Sequence, residues 1–244
     1  MIDFHSLQHC QYCRMQEHLL TQKLTPPLRH ELNAACFRLT LPGGSTIFQE
    51  GAEANGVFIL RKGRAKIVMN SEEGRTVILY VASPGELLGL SSVISGEARQ
   101  VSAIAVEPCD LDLVRRDAFL DFLSRHEDQF RGALDELAMQ HSCILDAIRR
   151  LSLAPSLLAN LSRFLLSLNC PDTTPQTDKV YLRLTQEEIA QQLGTTRESV
   201  TRTFSRLRKS RIIEQRGHTI TIQNRSMLEH LAGFRAAVPA RKLA

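Results

Sequence analysis

Residues 185–210 read TQEEIAQQLGTTRESVTRTFSRLRKS, two short helical patterns that meet at a glycine and close on a run of cations. Thr185 with Glu188 has the spacing of a capping box, Ile189 and Leu193 give the first helix an inward face, and Gly194 supplies the left-handed residue that ends it. Thr195 with Glu198 has the same spacing and predicts the start of a second helix. Val200, Phe204 and Leu207 then recur at i, i+4 and i+7, the buried stripe of an amphipathic helix. The opposite face carries Glu198, Arg202 and Ser205, with Arg197 and Thr201 on the flank. Two helices across a tight glycine turn, the second offering cations and a carboxylate near its N-terminus, suit the DNA major groove. Arginine there can bond guanine N7 and O6 together, and glutamate can accept from cytosine N4.

The next residues extend the same surface. IIEQRGHTITI (212–222) reads as two short strands around Arg216-Gly217, a wing that sets a cation against the phosphate backbone. Thr196, Arg208 and Arg216 complete the candidate DNA-binding set of Arg197, Glu198, Thr201, Arg202 and Ser205. Charge agrees with this reading. Residues 151–244 carry 14 Lys and Arg against 7 Asp and Glu, and residues 1–150 carry 16 against 19, so the net charge of +4 is a basic C-terminal part on a slightly acidic remainder.

Upstream, the texture is different. From Phe37 to Val114, short runs such as GVFILRKG, AKIVMN and TVILYVA alternate with turn signals at Pro42-Gly43-Gly44, Glu50-Gly51, Lys62-Gly63, Glu73-Gly74 and Pro84-Gly85. That rhythm predicts an all-β sandwich or roll. From Asp117 to Leu151 a helical pattern takes over, in which Phe130, Leu134, Leu137, His141, Ile144, Ile148 and Leu151 are spaced 4, 3, 4, 3, 4 and 3. A 3.5-residue period favours helix on helix, hence a homodimer through this seam; the alternative is that the face packs on the β domain. Pro171-Asp172-Thr173-Thr174-Pro175 reads as a polar loop before the last domain. The expected organisation is α+β: an N-terminal segment 1–25, a β-roll 26–125, a dimerisation helix 126–151 and a winged helix-turn-helix 152–244.

The 244 residues suffice for two domains that each bury a core. No run approaches the length of a membrane span, and MIDFHSLQHC lacks the charged start and apolar middle of a signal peptide, so a cytoplasmic protein without membrane contact is expected. The six cysteines are accordingly read as thiols or ligands. There is no G-x-S-x-G elbow, no G-x-x-x-x-G-K, no H-E-x-x-H and no paired-cysteine zinc framework, so no catalytic residues are assigned and the chain is read as a binding protein.

With these residues in view the chain resembles the Crp/Fnr family of bacterial transcription regulators over nearly its whole length. PGGSTIFQEGAEANGVFILRKGRAKI (42–67) and PGELLGLSSVISGEARQVSAIAVEPCDL (84–111) look like that family's two β-roll signatures. In the recognition helix Arg197, Glu198 and Arg202 match its R-E-x-x-x-R pattern, and Thr201 stands where a related pattern has serine. The resemblance implies a cyclic-nucleotide-binding-type β-roll, a long dimerisation helix and a C-terminal winged helix-turn-helix. It further implies double-stranded DNA, a second copy of the chain and RNA polymerase as partners, and a palindromic operator whose half-site has a TGA-like core.

The effector is not fixed by these matches. Gly85, Glu86 and Leu87 resemble the ribose-binding element of cyclic-AMP-binding relatives, and Arg99 the phosphate-binding arginine, but Gln100 replaces the following serine and the spacing is about three residues longer. Cys10 and Cys13 resemble the start of the cysteine motif of Fnr-type oxygen sensors, whose [4Fe-4S] cluster takes four thiolates. The third cysteine of that motif would fall at Leu19, and Cys109 or Cys36 would have to supply the fourth ligand. A haem reading rests only on scattered histidines such as His126 and His141. No cofactor and no metal site is assigned from the sequence; a small-molecule effector, a cluster or a ligand-free regulator stay open, as does, more remotely, a ligand-binding module without DNA function.

Overall fold

The computed structural model describes residues 19–71, 76–152, 156–168, 179–182, 184–217 and 219–233. It divides into two compact units, one ending at Ala147 and the other beginning at Ile148. The boundary therefore falls inside the long helix and not at its end.

The first unit opens with a 3-10 turn at Leu20–Gln22 and helix α1 (Pro26–Ala34). Eight strands follow: β1 (Cys36–Leu41), β2 (Thr46–Phe48), β3 (Gly56–Lys62), β4 (Ala65–Asn70), β5 (Thr76–Ala82), β6 (Leu87–Leu88), β7 (Ser102–Ala105) and β8 (Cys109–Arg115), with the short helix α2 (Leu90–Ser95) between β6 and β7. They form two antiparallel four-stranded sheets, ordered β1-β8-β3-β6 and β2-β7-β4-β5. Strands β3 and β4 are apolar enough to bury most of their length because the sheets enclose the core between them. Phe48, Leu60, Ile67, Leu79, Ala103 and Leu111 make up much of one apolar cluster.

Helix α3 (Arg116–Arg125) and the greater part of α4 (Glu127–Ser152), up to Ala147, complete the unit. The inward face of α4 is small or polar: Gln129, Ala133, Glu136, Gln140, Cys143 and Ala147 are all buried. Its outward face keeps Phe130, Leu134, Leu145 and Ile148 between 39% and 49% exposed. The heptad seam expected from sequence thus splits. Phe130, Leu134, His141 and Ile148 lie outward, whereas Leu137 and Ile144 are half-buried and pack on the apolar clusters of the β-roll. Packing on the β domain accounts for one face of this 26-residue helix and leaves the other apolar face exposed.

The second unit contains α5 (Leu157–Ser167), β9 (Lys179–Tyr181), α6 (Gln186–Leu193), α7 (Arg197–Lys209), β10 (Ile213–Arg216), β11 (Thr219–Ile222) and α8 (Arg225–Leu231). The strands form one antiparallel sheet in the order β10-β11-β9. Its core is Leu161, Phe164, Leu165, Ile189, Leu193, Val200, Phe204, Leu207, Ile213 and Ile220, of which the sequence spacing had marked Ile189, Leu193, Val200, Phe204 and Leu207 as inward. Among the described residues no helix is long and apolar enough to cross a membrane.

Candidate DNA interface and effector site

Thr185 caps α6 reciprocally: its hydroxyl accepts from Glu188 N at 3.2 Å, and Glu188 Oε2 accepts from Thr185 N at 3.0 Å. Gly194 closes the helix with φ of 64°, and a Cβ there would run into Leu151, so the turn needs both the left-handed backbone and the absent side chain. The second cap differs from expectation. Thr196, not Thr195, caps α7, accepting from Ser199 N at 3.3 Å, which shifts the helix start by one residue and leaves Glu198 uncommitted.

Val200, Phe204 and Leu207 are at most 1% exposed, so the orientation of α7 is set by its core face. Arg197, Glu198 and Arg202 stand in solvent, and the Arg202 guanidinium is steadied by Ser199 Oγ at 3.2 Å. Thr201 is spent internally: its hydroxyl donates to Gln186 Oε1 at 2.6 Å and lies 2.9 Å from the Arg197 carbonyl, tying α7 to the first turn of α6. Ser205 accepts from Arg208 Nη2 at 3.0 Å. Arg206 and Lys209, absent from the sequence-based set, join Thr201, Arg202, Ser205 and Ser210 around a shallow depression on the same face. Their i+4 and i+7 spacing from Arg202 was the signal that could have found them. On the wing, Arg216 is exposed and pairs with Glu214 at 2.8 Å. An Arg, Glu, Arg, Arg, Lys face on a rigid helix can hydrogen-bond base edges and neutralise phosphates together.

In the β-roll unit, Glu86 and Arg99 are both buried but are not brought together. Arg99 donates from Nη1 to Gly89 O at 2.8 Å and from Nη2 to Gly56 O, and its guanidinium lies 4.5 Å from the centre of the Phe48 ring. Gly89 has φ of 78°, and any Cβ would strike the Arg99 guanidinium. The residue that opens α2 beside this arginine is Leu90, fully buried, while Gln100 is exposed. Glu86 instead turns its Oε1 to Ser83 N at 2.9 Å. A cyclic phosphate needs guanidinium donors and a ribose needs a free carboxylate; here Nη1 and Nη2 are bonded to backbone carbonyls, Nε is buried with no partner among the described residues, and the carboxylate is elsewhere, so the pairing expected from Gly85-Glu86-Leu87 with Arg99 and Gln100 is not formed.

Of the cysteines, Cys10 and Cys13 lie outside the described residues. Cys36 and Cys109 stand at opposite ends of the β1–β8 pairing, where Cys36 faces Val114 and Leu41 faces Cys109, so one cluster could not take both. Burial pushes the Cys36 thiol up to about 11 and raises that of Cys109, which donates to Arg64 O at 3.2 Å. Without a metal beside them both are thiols at neutral pH. Leu19 is fully buried against Gly85, a hydrophobic anchor where the oxygen-sensor motif has cysteine. Among the described residues no three His, Cys, Asp or Glu side chains converge on a metal position. His126 bonds Glu31 at 3.0 Å and meets the Phe122 ring at a tilt, centroids 5.0 Å apart, holding α1 to the α3–α4 corner, and His141 is exposed.

Comparison with known proteins matches residues 38–126 to the cyclic nucleotide-binding domain and residues 160–231 to the Crp-like helix-turn-helix domain. The chain belongs to the Crp/Fnr family. Like its relatives it is a DNA-binding transcription regulator. It is 24% identical over 204 residues to the cAMP-activated global transcriptional regulator CRP of Pasteurella multocida, covering 83% of this chain and 97% of that one. It is 27% identical to the transcriptional regulatory protein btr of Bordetella pertussis, covering 80% and 81%. In fold it is similar to FixK2 from Bradyrhizobium japonicum, with a TM-score of 0.71 at 22% identity over 83% of this chain and 99% of that chain. The c-di-GMP responsive regulator CLP of Xanthomonas campestris gives a TM-score of 0.70 at 19% identity, over 81% and 99%. The Crp/Fnr relatives are regulators and not enzymes.

Proposed function

We propose that this regulator works in the cytoplasm as a homodimer on a two-fold symmetric operator, with α7 of each copy in the major groove and Arg197, Glu198, Arg202 and Arg206 facing the bases. The observation that carries the reading is the division of α7 into a core face at most 1% exposed and an opposite face of exposed Arg, Glu and Lys side chains. The exposed apolar face of α4 supports pairing through Phe130, Leu134, Leu145 and Ile148, which in water favours a second copy of the same helix. Half-sites about one helical turn apart follow from two such helices, and the arginines with the glutamate favour a TGA-like half-site. It acts by binding, with RNA polymerase as its protein partner on DNA, and not by catalysis.

Control comes through the β-roll as a difference in DNA affinity between two states of the dimer, typically ~1–3 kcal/mol for such linkage. The internal bonding of Arg99 favours an effector other than a cyclic nucleotide. Selection of bound sites from random duplexes, read beside titration with cyclic AMP, is the test. Recovery of a palindrome whose half-sites lie one turn apart supports the reading, and recovery of no common sequence sinks it.

A further inference from the structure

Between the inward face of α4 and the turn before β6 lies a pair of carboxyls, Glu136 and Glu86, for which DNA binding has no use. Glu136 is fully buried, with Oε1 accepting from Leu87 N at 2.6 Å and Oε2 accepting from Leu20 N at 3.0 Å. One turn on, Gln140 Nε2 donates to Leu87 O at 2.8 Å, so α4 holds both backbone groups of that β6 residue. Glu86, beside Leu87 in the chain, is 2% exposed; its Oε2 is buried and has no hydrogen-bond partner among the described residues. The segment before α1 closes the site: Leu19 and Leu20 are fully buried, and Thr21 Oγ1 donates to Gly85 O at 2.7 Å. Tyr80 from β5 is buried beside the pair and feels both carboxyls, and Cys143 from α4 lies near Tyr80 in turn. Lys23 acts on it from the segment itself and pairs with Asp135 at 3.1 Å.

We propose that residues 19–24 form a proton-dependent strap, closed over Glu86 and Glu136 while these carboxyls are neutral and loosened from α4 as they ionise. Closure takes both groups out of water, and two anions in one dry space suffer desolvation and mutual repulsion. The two N–H donors on Glu136 offset part of that cost, whereas one oxygen of Glu86 receives nothing. Burial above all pushes Glu86 up to about 8, with the Glu136 charge adding to it, and pushes Glu136 up to about 7 against its N–H donors and Lys23. A carboxyl held above its ordinary value in the closed form binds its proton more tightly there than in the open, hydrated form. The strap is therefore tightest at acidic pH, and its hold weakens as pH rises through about 7 and then about 8. Because Glu136 sits on α4, the change is delivered to the helix whose opposite face is exposed and apolar.

Backbone hydrogen exchange at residues 20–24 of the full chain, measured from about pH 6 to about pH 9 and corrected for the intrinsic rate of a free amide, tests the strap. Protection at Leu20 should fall by at least about tenfold across that range, the ratio of one pKa unit. Glu86→Gln keeps an acceptor for Ser83 N and removes one charge, so the fall should shrink to about a third or less of the wild-type ratio. Tryptic cleavage after Lys23, normalised to a free peptide of the same sequence, gives an independent reading and should accelerate with pH in parallel. Protection that stays flat with pH in the wild type, or that falls equally in wild type and Glu86→Gln, overturns the proposal.

Discussion

Arg202 and Arg99 show two opposite uses of one side chain. Arg202 is exposed and, among the described residues, held by Ser199 alone, so its guanidinium can turn to a guanine edge. Replacement by alanine should weaken specific binding by ~1–3 kcal/mol and relax one base position of the operator, with little loss of fold; a site-selection experiment that returns an unchanged preference would show that α7 lies elsewhere. Arg99 is 3% exposed and serves Gly56 O, Gly89 O and the Phe48 ring. Arg99→Ala strands two buried carbonyls and removes a desolvated cation–π contact, so denaturant unfolding should report a loss of ~2–4 kcal/mol. A midpoint equal to wild type would mean that the guanidinium is not structural. Sequence singled out both arginines because residue type and motif spacing are local, but it assigned Arg99 to a phosphate and not to the backbone carbonyls that it bonds. It could not see that Glu86 turns toward Ser83, because that depends on a carboxylate meeting a backbone N–H three residues away inside a folded turn.

At the scale of elements, α4 was legible in extent and period but not in the choice of which face meets which neighbour. Gln129, Glu136 and Gln140 look like surface residues in a list of letters, yet they are buried because β6 and the strap offer backbone partners to the last two. The same ambiguity decides which substitution tests the dimer. Leu137 packs on the β-roll, so a charge there would damage the unit itself. Leu134 is 44% exposed, and Leu134→Glu should leave the melting of the monomer nearly unchanged while sedimentation at micromolar concentration shifts from dimer to monomer. A mutant that sediments like the wild type would rule out this face as the interface. By contrast α6 and α7 were legible almost to the residue, since caps, a left-handed glycine and an apolar stripe are all short-range signals; only the second cap was one residue off, where Thr195 and Thr196 compete for the role.

Across the molecule, charge and protonation give two further expectations. Arg197, Arg202, Arg206, Arg208, Lys209 and Arg216 all stand exposed in each copy. If a dimer neutralises ~6–10 phosphates with them, DNA affinity should drop by ~10³–10⁵ between about 50 mM and about 200 mM salt; a titration with negligible slope would deny the backbone contacts. Stability should respond to the two buried carboxyls in the sense set by their raised values: the native state holds protons that the unfolded chain has released, so stability falls as pH rises from the ordinary carboxylate range through about 7 and about 8. Thermal midpoints at about pH 6 and about pH 9 should differ accordingly, and less so in Glu86→Gln. The two-unit plan and the roll were legible because turn rhythm and periodicity change along the chain, whereas the strap was not, since nothing in LTQ announces that Leu20 will be covered. The separation of α7 into a face that folds and a face that reads has a consequence for descent. Substitutions at Glu198, Arg202 or Arg206 leave Val200, Phe204 and Leu207 undisturbed, so a lineage can change which genes it controls without first passing through an unstable ancestor, whereas a change at Thr201 would tilt the helix and alter every contact at once.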